Sequence, residues 1–282
     1  MKRILFTGGT GFLGRNLVPV LSKKYDVFAP SRMELDLRNM AAIEKYIKHN
    51  HFDVIIHAAI PNIAFNPSDQ KETLLRDSLL TFLKLHQMQN DYGKLLYFGS
   101  GAEFDKSVPI IKVSENDFGK RIPNSDYGIA KYTMNQLCRA SSNIYNLRIF
   151  GCYGPTDAYF KLITYAIRCC LNLQPIELNQ NCIFDYMYVL DLIPVLEYFI
   201  ENTPTYHDYN VCSGIQAELF DICHMVQSKL GTCLPVYAKA DGFNNEYSGD
   251  NSRIREEIPK LVFTPLHVGI DRLIQHEKTC QN

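Results

Sequence analysis

The stretch that most limits how this chain can fold is residues 3–15, RILFTGGTGFLGR. An apolar run at 4–6 leads into a glycine turn, and Phe12, Leu13, Leu17, Val20 and Leu21 then recur at helical spacing. The reading is strand, turn, helix. The glycines fit both G-x-G-x-x-G (Gly9, Gly11, Gly14) and the wider G-x-x-G-x-x-G (Gly8, Gly11, Gly14). Such a turn uses glycine for a tight reversal, for backbone contact with a pyrophosphate and for close packing of helix on strand. The helix N-terminus would carry the pyrophosphate, and Gly8, Thr10, Gly11, Phe12 and Leu13 are the expected cofactor contacts.

The alternation continues. A helix over 11–24 is followed by a short strand at 26–29, ending at Pro30-Ser31-Arg32. The side chain at that strand end normally meets the adenosine ribose: a carboxylate favours NAD, whereas a guanidinium forks onto a 2′-phosphate and favours NADP. Arg32 holds the place and Glu34 falls past it, so NADP(H) is favoured over NAD(H). Asn39 is expected to cap a helix to 49, and 52–59 (FDVIIHAA) reads as a third strand, continuously apolar as a doubly covered parallel strand is. His57 is expected to be packed at its end rather than to act as a base. After a loop at 61–69 come a helix over 70–90 and a fourth strand at 94–99, with Ser100 at the carboxyl end where open α/β sheets bind ligands.

A loop rich in Pro, Lys and Asp runs to Ser125, and Tyr127 then opens a helix to about 142. Four-residue spacing puts Tyr127 and Lys131 on one face of that helix. A fifth strand is expected at 146–150, then helices at 159–172, 190–202 and 216–230 and short strands near 184–189, 208–212 and 234–238. The expected class is α/β: a Rossmann doubly wound parallel sheet with a smaller α/β C-terminal lobe for substrate. Residues 1–150 and about 183–212 would form the dinucleotide-binding domain, and about 151–182 and 213–282 the substrate lobe, packed over the carboxyl edge of the sheet.

Composition narrows the partners. With 46% apolar residues, 21% charged and a net charge of −1, the chain has no basic field for nucleic acid or a membrane surface. No apolar run approaches bilayer length, and the expected location is the cytoplasm. The nine cysteines lie between Cys138 and Cys280 with no C-x-x-C pair, and the eight histidines form no ligand cluster, so reduced thiols and no metal are expected.

The glycine turn, Ser100, Tyr127 with Lys131, and Tyr153-Gly154-Pro155 together resemble the extended short-chain dehydrogenase/reductases of the epimerase/dehydratase type, which act on nucleotide-diphosphate sugars. FDYMYVLD at 184–191 is similar to the family's R-D-F-x-Y-V-x-D, and Tyr209-Asn210-Val211 with Ser213-Gly214 to its Y-N-V-G-S-G. The likeness covers nearly the whole chain. It implies a tyrosine acid at Tyr127, a lysine on the nicotinamide ribose at Lys131, and a hydroxyl gripping the reacting carbonyl at Ser100. It further implies that Asp36 and Leu37 meet the adenine, that Ala58 and Ala59 line the cofactor, and that the chain pairs as a homodimer serving cell-surface polysaccharide supply.

Departures from the family pattern narrow the reaction. The Asp-Glu pair of the dehydratases is replaced by Gly101 and Ala102. The cysteine of the fucose-synthase type is absent at Ala102, and its histidine falls near Lys161. Reduction of a nucleotide-linked 4-keto-6-deoxy sugar remains, with 4-epimerisation using tightly held NAD as the alternative and a cofactor-sensing regulator as a reading of another class. Phe184 stands where the family has a phosphate-clamping arginine, leaving Lys161, Arg168 and Arg253 as candidate anchors and Gly101 as a substrate neighbour. Glu103 is expected to face solvent or bond within its loop.

Overall fold

A computed structural model describes residues 1–61 and 73–281. Residues 62–72, which hold most of the loop expected at 61–69 and the start of the helix expected at 70–90, lie outside the described residues. Strand β1 (Arg3–Thr7) sends Ile4 and Phe6 to one face and Leu5 to the other, and all are buried. It therefore belongs in a sheet covered on both sides. Helix α1 (Phe12–Leu21), β2 (Asp26–Phe28), α2 (Met40–Asn50), β3 (Val54–His57), α3 (Leu74–Gln87) and β4 (Lys94–Ser100) follow in alternation. The Asn39 side chain caps α2 by accepting the Ala42 N–H at 3.1 Å.

Past β4 the chain is less regular than its sequence suggests. The expected loop contains β5 (Ile110–Val113), before α4 (Asp126–Arg139), β6 (Ile144–Ile149), β7 (Gly151–Tyr153), α5 (Leu162–Leu171), β8 (Ile176–Leu178), β9 (Ile183–Tyr188), α6 (Leu192–Glu201) and β10 (Asp208–Val211). The chain ends with β11 (Gln216–Glu218), α7 (Leu219–Leu230), β12 (Val236–Ala238), β13 (Tyr247–Gly249), α8 (Ser252–Glu257) and α9 (Leu266–Gln281). The first three residues of the helix expected at 216–230 are strand β11, because they pair antiparallel with β9.

Among the described residues, six strands form one parallel sheet in the order β10-β6-β4-β3-β1-β2. The chain leaves β1 toward β2, then returns across it to β3 and continues outward. The strand order thus reverses at β1 and β3, which opens a crevice at their carboxyl ends. Leu17 and Leu21 of α1 and Val195, Leu196 and Phe199 of α6 cover one face; Ile43 of α2, Phe82 of α3 and Met134 of α4 cover the other.

A second sheet, β11-β9-β13-β5 with β7 beside β9, and the paired strands β8 and β12 carry the rest. Helices α5, α7 and α9 share a third apolar cluster with β8, built on Ile167, Ile176, Ile222 and Ile270. Strand β5 crosses from the first half of the chain into this lobe, and β9 pairs there too, whereas α6 and β10 pack on the main sheet. Among the described residues no helix is long and apolar enough to cross a membrane.

Candidate active site

The crevice at the reversal is a cavity of about 540 Å³, within the range that ligand sites occupy. Gly8, at φ +77°, turns the chain out of β1, and the Gly11 N–H donates to the Gly8 carbonyl at 3.0 Å. A Cβ on Gly14 would stand 2.4 Å from the Gly9 Cα, so α1 starts in direct contact with its own turn. Gly8, Thr10, Gly11, Phe12, Leu13, Arg32, Asp36, Leu37, Ala58 and Ala59 all line the cavity. A bare glycine backbone at a helix N-terminus beside two alanines fits a dinucleotide.

At the far end of the cavity the acids are turned onto protein partners. The Glu34 carboxylate accepts the Ser31 N–H at 2.7 Å, and Asp36 is paired with Arg38 at 2.8 Å. The Arg38 guanidinium and the Ser31 hydrogen bonds hold these two carboxyls below their ordinary range. Arg38 lines the cavity alongside Arg32 and escaped the sequence reading, although its place two residues after Asp36 marks it.

Ser100, Tyr127 and Lys131 stand outside the lining of this cavity, at the end of β4 and on α4. Ser125 caps α4 by accepting the Gly128 N–H at 3.1 Å, which sets Tyr127 in the first turn and Lys131 one turn later. Tyr127 keeps 37% of its surface open. Its hydroxyl end nevertheless lies among protein atoms, where burial pushes the phenol up and a hydrogen bond with the Ser100 side chain pulls it back. The Lys131 ammonium sits 5.7 Å from the centre of the Tyr127 ring and donates to the Phe98 carbonyl at 2.7 Å. Burial pushes it down to about 8, opposed by the negative charge of Glu103. The three side chains named from sequence therefore meet at one point. His57 does not join them: buried, it shares a 2.7 Å hydrogen bond with Thr7, and burial with the charge of Lys131 pushes it down to about 3.

Residues 4–212 match the model of the NAD dependent epimerase/dehydratase family. The chain belongs to that family. It is 44% identical to a GDP-L-fucose synthase of Azorhizobium caulinodans over 169 residues, 56% of this chain and 54% of that protein, so the match spans about half of that relative. A GDP-L-colitose synthase of Yersinia pseudotuberculosis is 28% identical over 81% of this chain and 82% of its own. The fold matches a crystal structure of a GDP-L-fucose synthetase from Naegleria fowleri bound to NADP, with TM-score 0.84 and 17% identity over 99% of this chain and 95% of that one. As a member of the family, the protein is expected to bind NADPH about tenfold or more weakly on Gly14→Ala, from ~1–3 kcal/mol of forced overpacking. Fluorescence titration checks this; unchanged affinity would show that the turn can move aside.

Glu103 corrects the sequence reading. It neither faces solvent nor bonds only within its loop, but is fully buried at the end of a short 3-10 turn, Gly101–Glu103. Its carboxylate accepts the Ser100 N–H at 3.1 Å, both Asn146 contacts at 3.0 Å and Arg148 Nε at 2.7 Å. Arg148, also fully buried, reaches on to Asp208 at 3.0 Å and Asn210 at 2.8 Å. Burial pushes the Glu103 carboxyl up while Arg148 and the N–H donors oppose it. The Ser-x-x-Glu spacing of a capping box marks the local part of this arrangement; the partners on β6 and β10 carry no such mark.

The candidate anchors separate. Arg168 is bonded to Glu277 of α9 at 2.6 Å, and Arg253 to Asp208 at 3.1 Å, with its guanidinium over Tyr206. Neither lines the cofactor crevice or a second cavity of about 330 Å³ formed by Lys106, Ile110, Asn179, Gln180, Cys182, Phe184, Tyr247 and their neighbours. Lys106, missed in sequence, is an exposed residue at the edge of that cavity, and desolvation together with the positive charge of Lys161, which lines neither cavity, pushes it down. Phe184 stacks between Tyr186 and Tyr247 in the same wall. Gly101 abuts Tyr247.

Proposed function

We propose that this protein is an NADP(H)-dependent reductase of a nucleotide-diphosphate-linked 4-keto-6-deoxy sugar. The observation that carries the reading is the approach of Ser100, Tyr127 and Lys131 to one another at the carboxyl end of β4, the neighbour of β3 in the sheet whose reversal opens the glycine-turn crevice. Reduced nicotinamide, when bound, supplies the hydride. Tyr127 donates its proton to the sugar oxygen, and Ser100 hydrogen-bonds the charge that develops there. Lys131 stabilises the phenolate that remains. Gly8, Thr10, Gly11, Phe12 and Leu13 would hold the pyrophosphate, and Asp36, Leu37, Ala58 and Ala59 the adenosine and its neighbours.

Arg32 and Arg38 line the adenosine end of the crevice, while the Glu34 carboxylate is turned onto the Ser31 N–H, which supports NADP(H) over NAD(H). The relative solved with NADP points the same way. Lys106 brings positive charge to the second cavity, with Lys161 near enough for its charge to act on it, and we assign the sugar nucleotide's diphosphate to Lys106 in place of Arg168 and Arg253. The nine free thiols suit a reducing compartment, and we place the enzyme in the cytoplasm. Leu80 and Leu83, exposed on α3, offer apolar surface to the expected homodimer.

Turnover and cofactor choice test this together. Protein mixed with NADPH and a nucleotide-linked 4-keto-6-deoxyhexose is expected to consume the reduced cofactor stoichiometrically. NADPH is expected to bind about tenfold or more tightly than NADH, ~1.4 kcal/mol, and Arg32→Ala to erase most of the difference. Tightly retained NAD with no net consumption of reductant would overturn the reductase and install the 4-epimerase.

A further inference from the structure

The cofactor crevice holds a further arginine, and it comes from the first helix rather than from the end of β2. Arg15, an exposed residue, lines the cavity together with Arg32 and Arg38. It stands in the first turns of α1, where a long side chain leans back toward the helix N-terminus. Its Nε donates to the Thr10 carbonyl at 2.8 Å, which ties the guanidinium to the glycine turn. Arg38 is committed differently: its Nε and one terminal nitrogen are forked onto the Asp36 carboxylate. Among the described residues no carboxylate pairs with Arg15 in that way.

The turn sets which end of a dinucleotide Arg15 faces. Gly9 packs so closely on the residue after β2 that a Cβ there would stand 2.8 Å from the Ala29 Cβ. Pro30 and Arg32, just beyond Ala29, line the same cavity. Thr10 is one residue past Gly9, so its carbonyl holds Arg15 on the side of the turn where the strand end meets the adenosine ribose. The pyrophosphate has its own donors in the N–H groups that open α1. With Nε bonded to Thr10, the two terminal nitrogens of Arg15 remain as a planar pair of donors, the geometry that suits a phosphate monoester. Such a group carries about −1.5 to −2 charge at pH 7, more than one guanidinium neutralises.

We propose that Arg15 is a cofactor-binding residue that holds the adenosine 2′-phosphate together with Arg32, and so helps to set the preference for NADP(H). The assignment rests on the NADP(H) reading given above. NADH has no group at that place, and its affinity should be nearly indifferent to Arg15.

Arg15→Gln, which keeps a polar side chain of similar reach, separates the two cofactors. With the full chain freed of nucleotide, the variant is expected to bind NADPH about tenfold more weakly than wild type and NADH within about twofold, as loss of a charge-assisted hydrogen bond predicts. Adenosine 2′,5′-bisphosphate, which lacks both nicotinamide and pyrophosphate, should weaken by the same factor as NADPH in a calorimetric titration. Arg15→Lys, with the charge but not the planar fork, should fall between the two proteins. Equal weakening of NADPH and NADH would move Arg15 to the pyrophosphate and overturn the assignment. Wild-type affinity of Arg15→Gln for the bisphosphate would overturn it too, in both cases leaving the NADP(H) reading intact. A wild-type protein that binds NADH as tightly as NADPH would instead overturn that reading, and the role of Arg15 with it.

Discussion

Tyr127→Phe is expected to lower turnover by roughly 10²–10⁴-fold, the range associated with a positioned proton donor, with NADPH affinity and melting temperature close to wild type. The substitution removes only the hydroxyl that meets Ser100 and leaves the ring 5.7 Å from the Lys131 ammonium. Helix α4 is packed through Ala130, Met134 and Cys138 rather than through that hydroxyl, so the fold has no reason to respond. Single-turnover measurement with saturating NADPH isolates the chemical step from cofactor binding. Wild-type rates would remove Tyr127 from the reaction, whereas a slow enzyme with weakened cofactor binding would point to damage in the crevice instead.

Glu103→Ala is expected to be the most destabilising single change at the site. It strips one carboxylate from a buried pair with Arg148, in which both side chains have 0% exposure, and leaves the guanidinium with Asp208 as its one remaining buried carboxylate and with the Asn210 amide oxygen. Removing one member of such a pair costs about 3–5 kcal/mol, because the other charge stays buried without its partner. In a chain of this size that corresponds to a fall in melting temperature on the order of 10 °C, read by calorimetry or circular dichroism. Glu103→Gln, which keeps an acceptor for the Ser100 N–H, should lose less. A Glu103→Ala protein that melts within about 2 °C of wild type, under ~1 kcal/mol, would show that the network is not a source of stability. The same carboxylate holds Ser100, Lys131 and Arg148 in one electrostatic arrangement, so its loss would reach the reacting centre as well.

Much of this was legible along the chain, for a local reason. Strands β1, β3 and β4 announce themselves by apolar runs, α1 to α4 by helical spacing, and the glycine turn by residues that only a close backbone approach requires. The Tyr127–Lys131 spacing places two groups on one helix face whatever surrounds them. Strand β5 shows the limit: Ile110–Val113 is half exposed in pattern, preceded by Pro109 and interrupted by Lys112, and it becomes a strand because Tyr247–Gly249 lies beside it. Arg168 and Arg253 are basic residues in plausible segments, and only their acid partners, Glu277 and Asp208, show that they are committed elsewhere.

The sequence by itself determined the alternating α/β class, the glycine turn and the placing of Tyr127 and Lys131 on one helix face, since each is written in periodicity or short spacing that the backbone converts directly into position. Tertiary structure alone decided that Glu103 is buried against Arg148, that Lys106 lines the second cavity, and that Tyr247 packs against Gly101. Those contacts join residues far apart in the chain. Their formation depends on which strands become neighbours once apolar surface is buried, and no local pattern encodes that choice.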